Sequence, residues 1–246
     1  MERMTNIINR LRRHCGDVAR RGLSWWRWLA LRWSIGAVMA MFVLINPAVV
    51  PPVARADSAL GPLIMVLGDS LVAGHGLAQG GAFPDVLGRQ LAAAGIPAQM
   101  INAGVSGDTT AGGLARLDWS LASQPNAAII VLGGNDLLRG LAPESSFANL
   151  DAIISRLQSR GIAVLLAGMQ APRNFGADYA VEFDAIYQRL AAKYEILFYP
   201  FFLDGVALQP DMNLPDGMHP NDAGIRHIAT KMLPLVKVLV TRAAAR

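Results

Sequence analysis

The chain has 246 residues, of which 53% are hydrophobic, and a formal net charge of +4, which suits one globular domain with an appendage or two small domains. The charge is unevenly distributed. Residues 1–56 contain nine arginines and two acidic residues, whereas residues 57–246 contain 13 basic and 16 acidic residues. Because the larger part is mildly acidic and its basic residues form no run, we expect no nucleic-acid partner. The single cysteine, Cys15, lies in the basic segment, so residues 57–246 have no disulfide and no cysteine-based metal site.

The first 56 residues have the organisation of a secretory signal peptide. An arginine-rich segment precedes the apolar run Ile35–Ile45, and small residues occupy both ends of the Ala54–Ala56 tripeptide, which predicts cleavage before Asp57. The alternative is an uncleaved membrane anchor, although the apolar run is shorter than the roughly 20 residues that a span needs. Both interpretations place residues 57–246 in the periplasm or outside the cell, and any membrane contact is made through the N-terminal segment alone.

Short apolar segments alternate with helical patterns along the rest of the chain. Between the apolar segments, hydrophobic residues recur at helical spacing, as at Phe83, Leu87 and Leu91. Such alternation predicts a parallel sheet that helices cover on both faces. The expected fold class is therefore α/β, a three-layer flavodoxin-like sandwich with a five-stranded parallel sheet. The predicted strands are Leu63–Gly68, Ala98–Asn102, Ala127–Gly133, Ile162–Gly168 and Ile196–Tyr199.

Small and polar residues follow the first three predicted strands. Because the carboxyl ends of parallel strands share one edge of the sheet, these loops are expected to meet. Ser70, directly after the first strand, is a candidate nucleophile. Gly107 has no Cβ, so its backbone N–H can approach an oxyanion, and Asn135 offers an amide donor. Taken singly, each of the three residues also fits a helix cap or a turn.

Four histidines are candidates for the general base. His14 lies in the N-terminal segment, and His227 is predicted on the solvated side of the last helix, away from its apolar stripe. His75 follows Ser70 in a glycine-rich loop and can line the cleft, but no residue beside it in sequence would orient it.

His219 has such a partner in Asp216. The three-residue offset lets the Asp216 carboxylate fold back onto one imidazole nitrogen, which leaves the other nitrogen to take a proton from Ser70. The alternative is a simple chain reversal before a helix that Asn221 caps.

Four blocks together resemble the SGNH, or GDSL, hydrolase family. The blocks are Gly68–Leu71, Ser106–Thr109, Gly133–Asp136 and Asp216–Pro220, in the order and at spacings that fit the family. The similarity extends from about Leu63 to the last helix and is greatest to the bacterial periplasmic thioesterase I, lysophospholipase L1 and arylesterase group. The sequence contains no G-x-S-x-G elbow of the α/β-hydrolases and no cluster at metal-ligand spacing.

The resemblance implies a serine ester hydrolase that accepts esters and thioesters. It implies Ser70 as the nucleophile and Asp216 with His219 as the base pair. The implied oxyanion donors are the N–H groups of Ser70 and Gly107 and the amide of Asn135. No cofactor and no metal are implied. At position 75 similar family members tend to carry an aromatic residue such as tyrosine, so His75 is a departure at the mouth of the substrate cleft.

The leucine-rich segment after Asn135 is predicted to line an acyl channel. An ordinary hydrophobic contact with the following helix is the alternative. Met169, Gln170 and Pro172 are candidates for the opposite wall. The predicted substrate-binding residues are Leu137, Leu138, Leu141 and His75.

The expected substrate is a small-molecule acyl ester or a lysophospholipid, because acyl-CoA is a cytoplasmic metabolite that an exported enzyme does not meet. The alternative enzyme is a polysaccharide O-acetyl esterase, but the leucine-rich segment argues against it.

A non-catalytic binding module on the same fold is the alternative from another class of protein. The complete set of Ser70, Gly107, Asn135, Asp216 and His219 argues against it. A monomer is expected.

Overall fold

The computed structural model describes residues 60–245 of the chain. The predicted signal peptide and its cleavage site lie outside these residues. Within them, five strands form one sheet, and the central three are apolar and almost completely buried. The strands are β1 (Leu63–Gly68), β2 (Gln99–Gly104), β3 (Ala127–Val131), β4 (Ala163–Ala167) and β5 (Leu197–Tyr199).

Helices follow each of the five strands. Short 3₁₀ turns occupy Leu121–Ser123, Arg173–Phe175 and Pro210–Met212. Between residues 60 and 245, no helix combines the length and the apolar character needed to cross a membrane. The α-helices of this region are α1 (Ser70–Ala73), α2 (Phe83–Ala93), α3 (Thr110–Ala115), α4 (Leu117–Ser120), α5 (Gly134–Leu138), α6 (Pro143–Ser159), α7 (Ala177–Tyr194) and α8 (Asp222–Ala244).

All neighbouring strands pair in parallel, in the order β2-β1-β3-β4-β5. The chain therefore reverses its direction of progress across the sheet between β1 and β3. In open α/β sheets a crevice forms at such a switch point, outside the carboxyl ends of the strands. The register pairs Gly68 at the end of β1 with Val131 at the end of β3, so the loops after these strands start side by side.

Helices cover both faces of the sheet. Helix α2 packs against α8 on one side, and α6 packs against α3 and α7 on the other, while β4 contacts α6, α7 and α8. Apolar side chains of both helix layers and of the strands form one continuous core. The structure confirms the predicted three-layer sandwich with five parallel strands.

Candidate active site

Ser70 is the first residue of the short helix α1, immediately after β1. Asp69 caps this helix, because its Oδ1 accepts a hydrogen bond from the Leu71 N–H at 3.0 Å. The neighbouring strand β2 approaches α1 very closely: a Cβ on Gly104 would lie 2.3 Å from the Ala73 nitrogen. Ser70 is thereby fixed on the end of a buried strand at the switch point of the sheet.

His219 and Asp216 lie in a tight loop before α8. An antiparallel bridge between Asn213 and Pro220 closes this loop, and the Leu214 N–H donates to the His219 carbonyl at 2.7 Å. The loop brings His219 Nε2 to 2.9 Å from Ser70 Oγ and His219 Nδ1 to 2.6 Å from Asp216 Oδ2. The three side chains thus form one continuous hydrogen-bonded chain.

Asp216 is held as a carboxylate by its own loop. Its Oδ1 accepts from the backbone N–H groups of His219 at 3.0 Å and of Met218 at 2.9 Å. These two hydrogen bonds, and then the one from the His219 ring, place the pKa of Asp216 well below its ordinary value. An ionised carboxylate at this position orients the imidazole and favours its protonated form.

Asn221, after the loop, accepts from the Ala223 and Gly224 N–H groups with its side-chain oxygen and caps α8. Capping by Asn221 and the pairing of Asp216 with His219, which the sequence posed as alternatives, therefore coexist.

Two residues that line the cavity at this site have a backbone N–H without an acceptor in the described part of the chain. Within residues 60–245 the N–H groups of Ser70 and Gly107 donate no hydrogen bond, and both residues line the same cavity. Gly107 has a φ of +84° and only one atom, on Arg139, within 4 Å of a Cβ built on it. Glycine at position 107 therefore supplies the left-handed backbone conformation and does not relieve crowding.

Asn135 lies at the start of α5, and its amide is already engaged. Its Nδ2 donates to Asp69 Oδ2 at 3.1 Å and to the Asp108 carbonyl at 2.9 Å. The amide is thus held at the cavity wall by two acceptors. Donation to a bound substrate requires one of the two hydrogen bonds to be shared or released.

Asp69, the acceptor behind Asn135, is almost fully buried, with 2% of its surface exposed. Burial raises the pKa of Asp69 from its ordinary 3.8 to about 6, although hydrogen bonds from the Leu71 N–H and the Asn135 amide oppose that shift. The two aspartates near Ser70 are therefore in opposite electrostatic environments.

A cavity of about 630 Å³ opens beside these residues. Leu137, Leu138 and His75 line it. Met169, Gln170 and Pro172 line it as well. The sequence did not predict a further wall from the segment between β5 and α8. That wall consists of Phe201, Leu203, Ala207 and Leu208.

Leu141 does not line the cavity, which corrects its predicted place in the acyl channel. Helix α5 ends at Leu138, and the chain turns back so that the Leu141 N–H donates to the Asp136 carbonyl at 2.9 Å. The Leu141 carbonyl accepts from the Tyr179 hydroxyl at 2.9 Å. The turn after α5 therefore directs this residue towards α7.

Comparison with known proteins places the chain in a family. A model of the GDSL-like lipase/acylhydrolase family matches residues 66–227. The chain belongs to this family. Over 185 residues it is 37% identical to Esterase TesA of Pseudomonas aeruginosa. The aligned region covers 75% of this chain and 92% of TesA.

Two further similarities agree with this assignment. The chain is 35% identical over 184 residues to thioesterase 1/protease 1/lysophospholipase L1 of Escherichia coli K12. The aligned region covers 74% of this chain and 87% of that protein. The crystal structure of AlinE4, an SGNH-hydrolase family esterase, matches with a TM-score of 0.62 and 48% identity over 72% of this chain and 96% of AlinE4. These findings confirm the predicted family, its esterase class and its fold.

Two arginines support the loops of this GDSL-like site, and neither was predicted to do so. Arg116 pairs with Asp108 at 2.5 Å and donates to the Gly68 carbonyl at 2.9 Å, which joins the loop after β2 to the end of β1. Arg139 donates to the Gly107 carbonyl at 2.8 Å. Both arginines lie in short segments that resemble the family, Gly113–Leu117 and Leu138–Gly140, but the resemblance assigned neither of them a contact.

The prediction that His227 is solvated is wrong. His227 is half-buried, and its Nε2 is inaccessible and has no hydrogen-bond partner within residues 60–245. A Cβ on Gly205 would lie 2.5 Å from this nitrogen, so the segment before α8 folds over the ring. The helical pattern placed His227 away from the apolar stripe but could not show that a loop covers it.

One group of side chains between residues 60 and 245 has the composition of a metal site. His75, Asp216 and His219 each offer one ligand atom, and these atoms lie within 4.8 Å of one another. Two of the three belong to the hydrogen-bonded chain from Ser70.

Proposed function

We propose that the protein hydrolyses carboxylic esters with apolar acyl groups by a two-step acyl transfer through Ser70, His219 and Asp216. The observation that carries the proposal is the hydrogen-bonded chain from Ser70 Oγ through His219 to the ionised Asp216. Such a chain is what a weakly nucleophilic hydroxyl needs in order to attack a carbonyl. Membership of the GDSL-like family, whose relatives include esterases, supports the same chemistry.

In the first step, Ser70 Oγ attacks the ester carbonyl carbon and His219 Nε2 takes the hydroxyl proton. Asp216 stabilises the imidazolium that forms. The negative charge that develops on the carbonyl oxygen is stabilised by the N–H groups of Ser70 and Gly107, with the Asn135 amide as the third donor.

Collapse of the tetrahedral intermediate breaks the bond to the leaving alcohol, which receives the proton from His219. An acyl-enzyme ester on Ser70 remains. Water then attacks this ester while His219 takes one of its protons, and Ser70 is released with the carboxylic acid. No cofactor takes part in this sequence.

The cavity walls support an apolar acyl group. Leu137 and Leu138 line the cavity, and Met169, Phe201 and Leu203 contribute further apolar surface. Its volume of about 630 Å³ falls in the range of roughly 300–1,000 Å³ that ligand pockets occupy. These walls favour medium or long acyl chains over an acetyl group.

Export of the domain would limit its substrates to those present in the periplasm or outside the cell. We infer from the N-terminal sequence that residues 1–56 act as a signal peptide and that residues 57–246 work in the periplasm or outside the cell, as a monomer. Lysophospholipids and other carboxylic esters occur there, whereas acyl-CoA does not. The name of the E. coli relative, thioesterase 1/protease 1/lysophospholipase L1, includes activity on a lysophospholipid and supports this substrate class.

The test is hydrolysis of p-nitrophenyl esters, from acetyl to long acyl chains, by the wild-type protein and by Ser70→Ala. We expect activity to peak at medium or long chains and to fall by about 10⁴-fold or more in the variant. Ser155→Ala is the matched control, because Ser155 is an exposed serine on α6 that does not line the cavity. It should keep activity within a few-fold of wild type.

The outcome also separates the alternatives. A peak at the acetyl ester would favour an O-acetyl esterase. A folded protein without Ser70-dependent turnover on any ester would contradict the proposal and favour a binding module.

A further inference from the structure

His75 lies against the imidazole that we propose as the general base. The centroids of the His75 and His219 rings are 4.5 Å apart, with an angle of 42° between the ring planes. With Asp216, the two rings bring three ligand atoms within 4.8 Å of one another. We propose that His75, His219 and Asp216 bind Zn²⁺ at the mouth of the cavity, and that this ion inhibits the enzyme reversibly. The inhibitory part of the proposal rests on the function proposed above.

The side chains match the chemistry of zinc. Two neutral imidazoles and one carboxylate are ligands that Zn²⁺ takes in proteins, and a water molecule can complete a tetrahedral site. With metal–ligand bonds of about 2.0–2.2 Å, the ligand atoms of such a site lie about 3.3–3.6 Å apart. The three ligand atoms lie within 4.8 Å of one another, so the pairs near this limit have to approach by roughly 1 Å. If the ion binds His219 at Nδ1, the 2.6 Å hydrogen bond to Asp216 has instead to open by a similar distance.

His75 is the ligand that can make this shift. Its side chain is exposed, and within residues 60–245 its ring nitrogens have no hydrogen-bond partner. The ring can therefore turn about its own side-chain bonds without breaking a hydrogen bond. Asp216, with 38% of its side chain exposed, is also reachable from solvent.

A bound ion would remove the general base. If Zn²⁺ binds His219 at Nε2, it occupies the lone pair that takes the proton from Ser70. If it binds at Nδ1, it replaces the proton that His219 shares with Asp216, and this proton is released to solvent. In both arrangements the hydrogen-bonded chain is broken, and removal of the metal restores it.

His75 distinguishes this site from general binding of zinc to a histidine–aspartate pair. His219 and Asp216 alone offer two ligands, whereas His75 supplies the third from a different loop. Phenylalanine keeps a planar ring at position 75 but offers no nitrogen. His75→Phe should therefore weaken zinc binding, and His75→Tyr should do so as well because its neutral phenol is a poor zinc ligand.

Binding is measured first without turnover, in the Ser70→Ala background, by competition with a chromogenic zinc chelator. We expect Ser70→Ala to bind one Zn²⁺ and the Ser70→Ala/His75→Phe double variant to bind it at least about tenfold more weakly. Mg²⁺ is the control ion because it prefers oxygen ligands, and it should not compete. Circular dichroism establishes that both proteins are folded. Equal zinc affinity of the two proteins would overturn the proposal.

Inhibition is measured next with ester substrate under controlled free zinc. Each protein is compared with its own activity in excess chelator, so that an effect of position 75 on turnover itself does not enter. The zinc concentration for half-inhibition should rise at least about tenfold in His75→Phe and in His75→Tyr, and chelator should restore activity. Unchanged sensitivity in both variants would contradict the proposal. A protein that binds zinc through His75 but hydrolyses no ester would contradict the proposed function and retain the metal site.

Discussion

Asp69 and Asp216 both lie near Ser70, but their environments shift their pKa values in opposite directions. Asp216 belongs to an exposed loop, accepts two backbone N–H groups and one imidazole, and has a pKa below its ordinary value. Asp69 is buried at the end of β1, and burial raises its pKa to about 6. The residue type is the same, but one environment stabilises the charge and the other opposes it.

The contrast indicates a different role for each carboxylate. The charge of Asp216 points at His219, the group that becomes positive in the proposed reaction. Asp69 points at the Asn135 amide and holds it in place. The proposed general base therefore depends on a charge, and the proposed oxyanion donor Asn135 depends on its position. The following predictions test this difference, in order of decreasing expected effect.

Asp216→Asn should lower kcat by about 10³–10⁴-fold with little change in KM, because the imidazole loses its charged partner. Steady-state kinetics with the best p-nitrophenyl ester measures the effect. Asp211→Asn is the matched control, since Asp211 is an exposed aspartate in the same segment before α8. A loss of less than tenfold in Asp216→Asn would contradict the role of its charge.

Asn135→Ala should lower kcat by about 10²–10³-fold, the usual result of removing one oxyanion donor. Asn149→Ala provides the comparison, because the Asn149 amide donates to Thr110 and does not line the cavity. If Asn135→Ala raised KM and left kcat unchanged, the amide would bind substrate and not the transition state.

The pH dependence of stability should reveal the burial of Asp69. Between its unfolded pKa of about 3.8 and its folded pKa of about 6, the folded protein retains a proton that the unfolded chain has released. The free energy of unfolding should therefore fall as the pH rises through this window, by at most about 3 kcal/mol. Asp216 has the opposite sign, because its lowered pKa stabilises the fold above about pH 4.

Urea denaturation of wild type and of Asp69→Asn from pH 3.5 to pH 7.5 measures this difference. The amide does not titrate, so the fall between pH 4 and pH 6 should be smaller in the variant. Parallel profiles for the two proteins would contradict the buried environment of Asp69.

Asp69→Asn should have the smallest effect on turnover, a fall in kcat of about tenfold, or about 1.4 kcal/mol in the barrier. One carboxylate oxygen accepts from Leu71 and the other from Asn135, and an amide can replace only one of these acceptors. Kinetics at pH 8, where Asp69 is ionised, gives the comparison. A larger loss than in Asp216→Asn would reverse the assignment of roles.

The central strands were predictable from sequence because they are buried and continuously apolar. Strand β1 was predicted with its observed bounds, and β3 and β4 to within two residues. Strand β2 was predicted over Ala98–Asn102 and is found over Gln99–Gly104, so both of its ends differ from the prediction, by one and two residues. It lies at the edge of the sheet and is partly exposed, so its apolar pattern is weaker.

The contact between Asp216 and His219 was also predictable, because residues three positions apart in a turn lie close together whatever the rest of the fold does. The contacts of Asn135 were not, since its two acceptors come from the loops after β1 and β2. Arg116 reaches the Gly68 carbonyl across 48 residues. The cavity wall that includes Leu208 lies in a loop without a periodic pattern, where Leu208 itself has a φ of +61°. Only the folded chain brings these groups together.

The most direct measurement is covalent labelling with a serine-reactive alkyl phosphonate, followed by peptide mass spectrometry. A serine reacts rapidly with such a reagent only when a neighbouring base activates it. The account predicts one adduct on Ser70 in wild type, none in Ser70→Ala, and labelling slowed by orders of magnitude in His219→Gln. An adduct on another residue, or labelling of Ser70 at the same rate in His219→Gln, would contradict it.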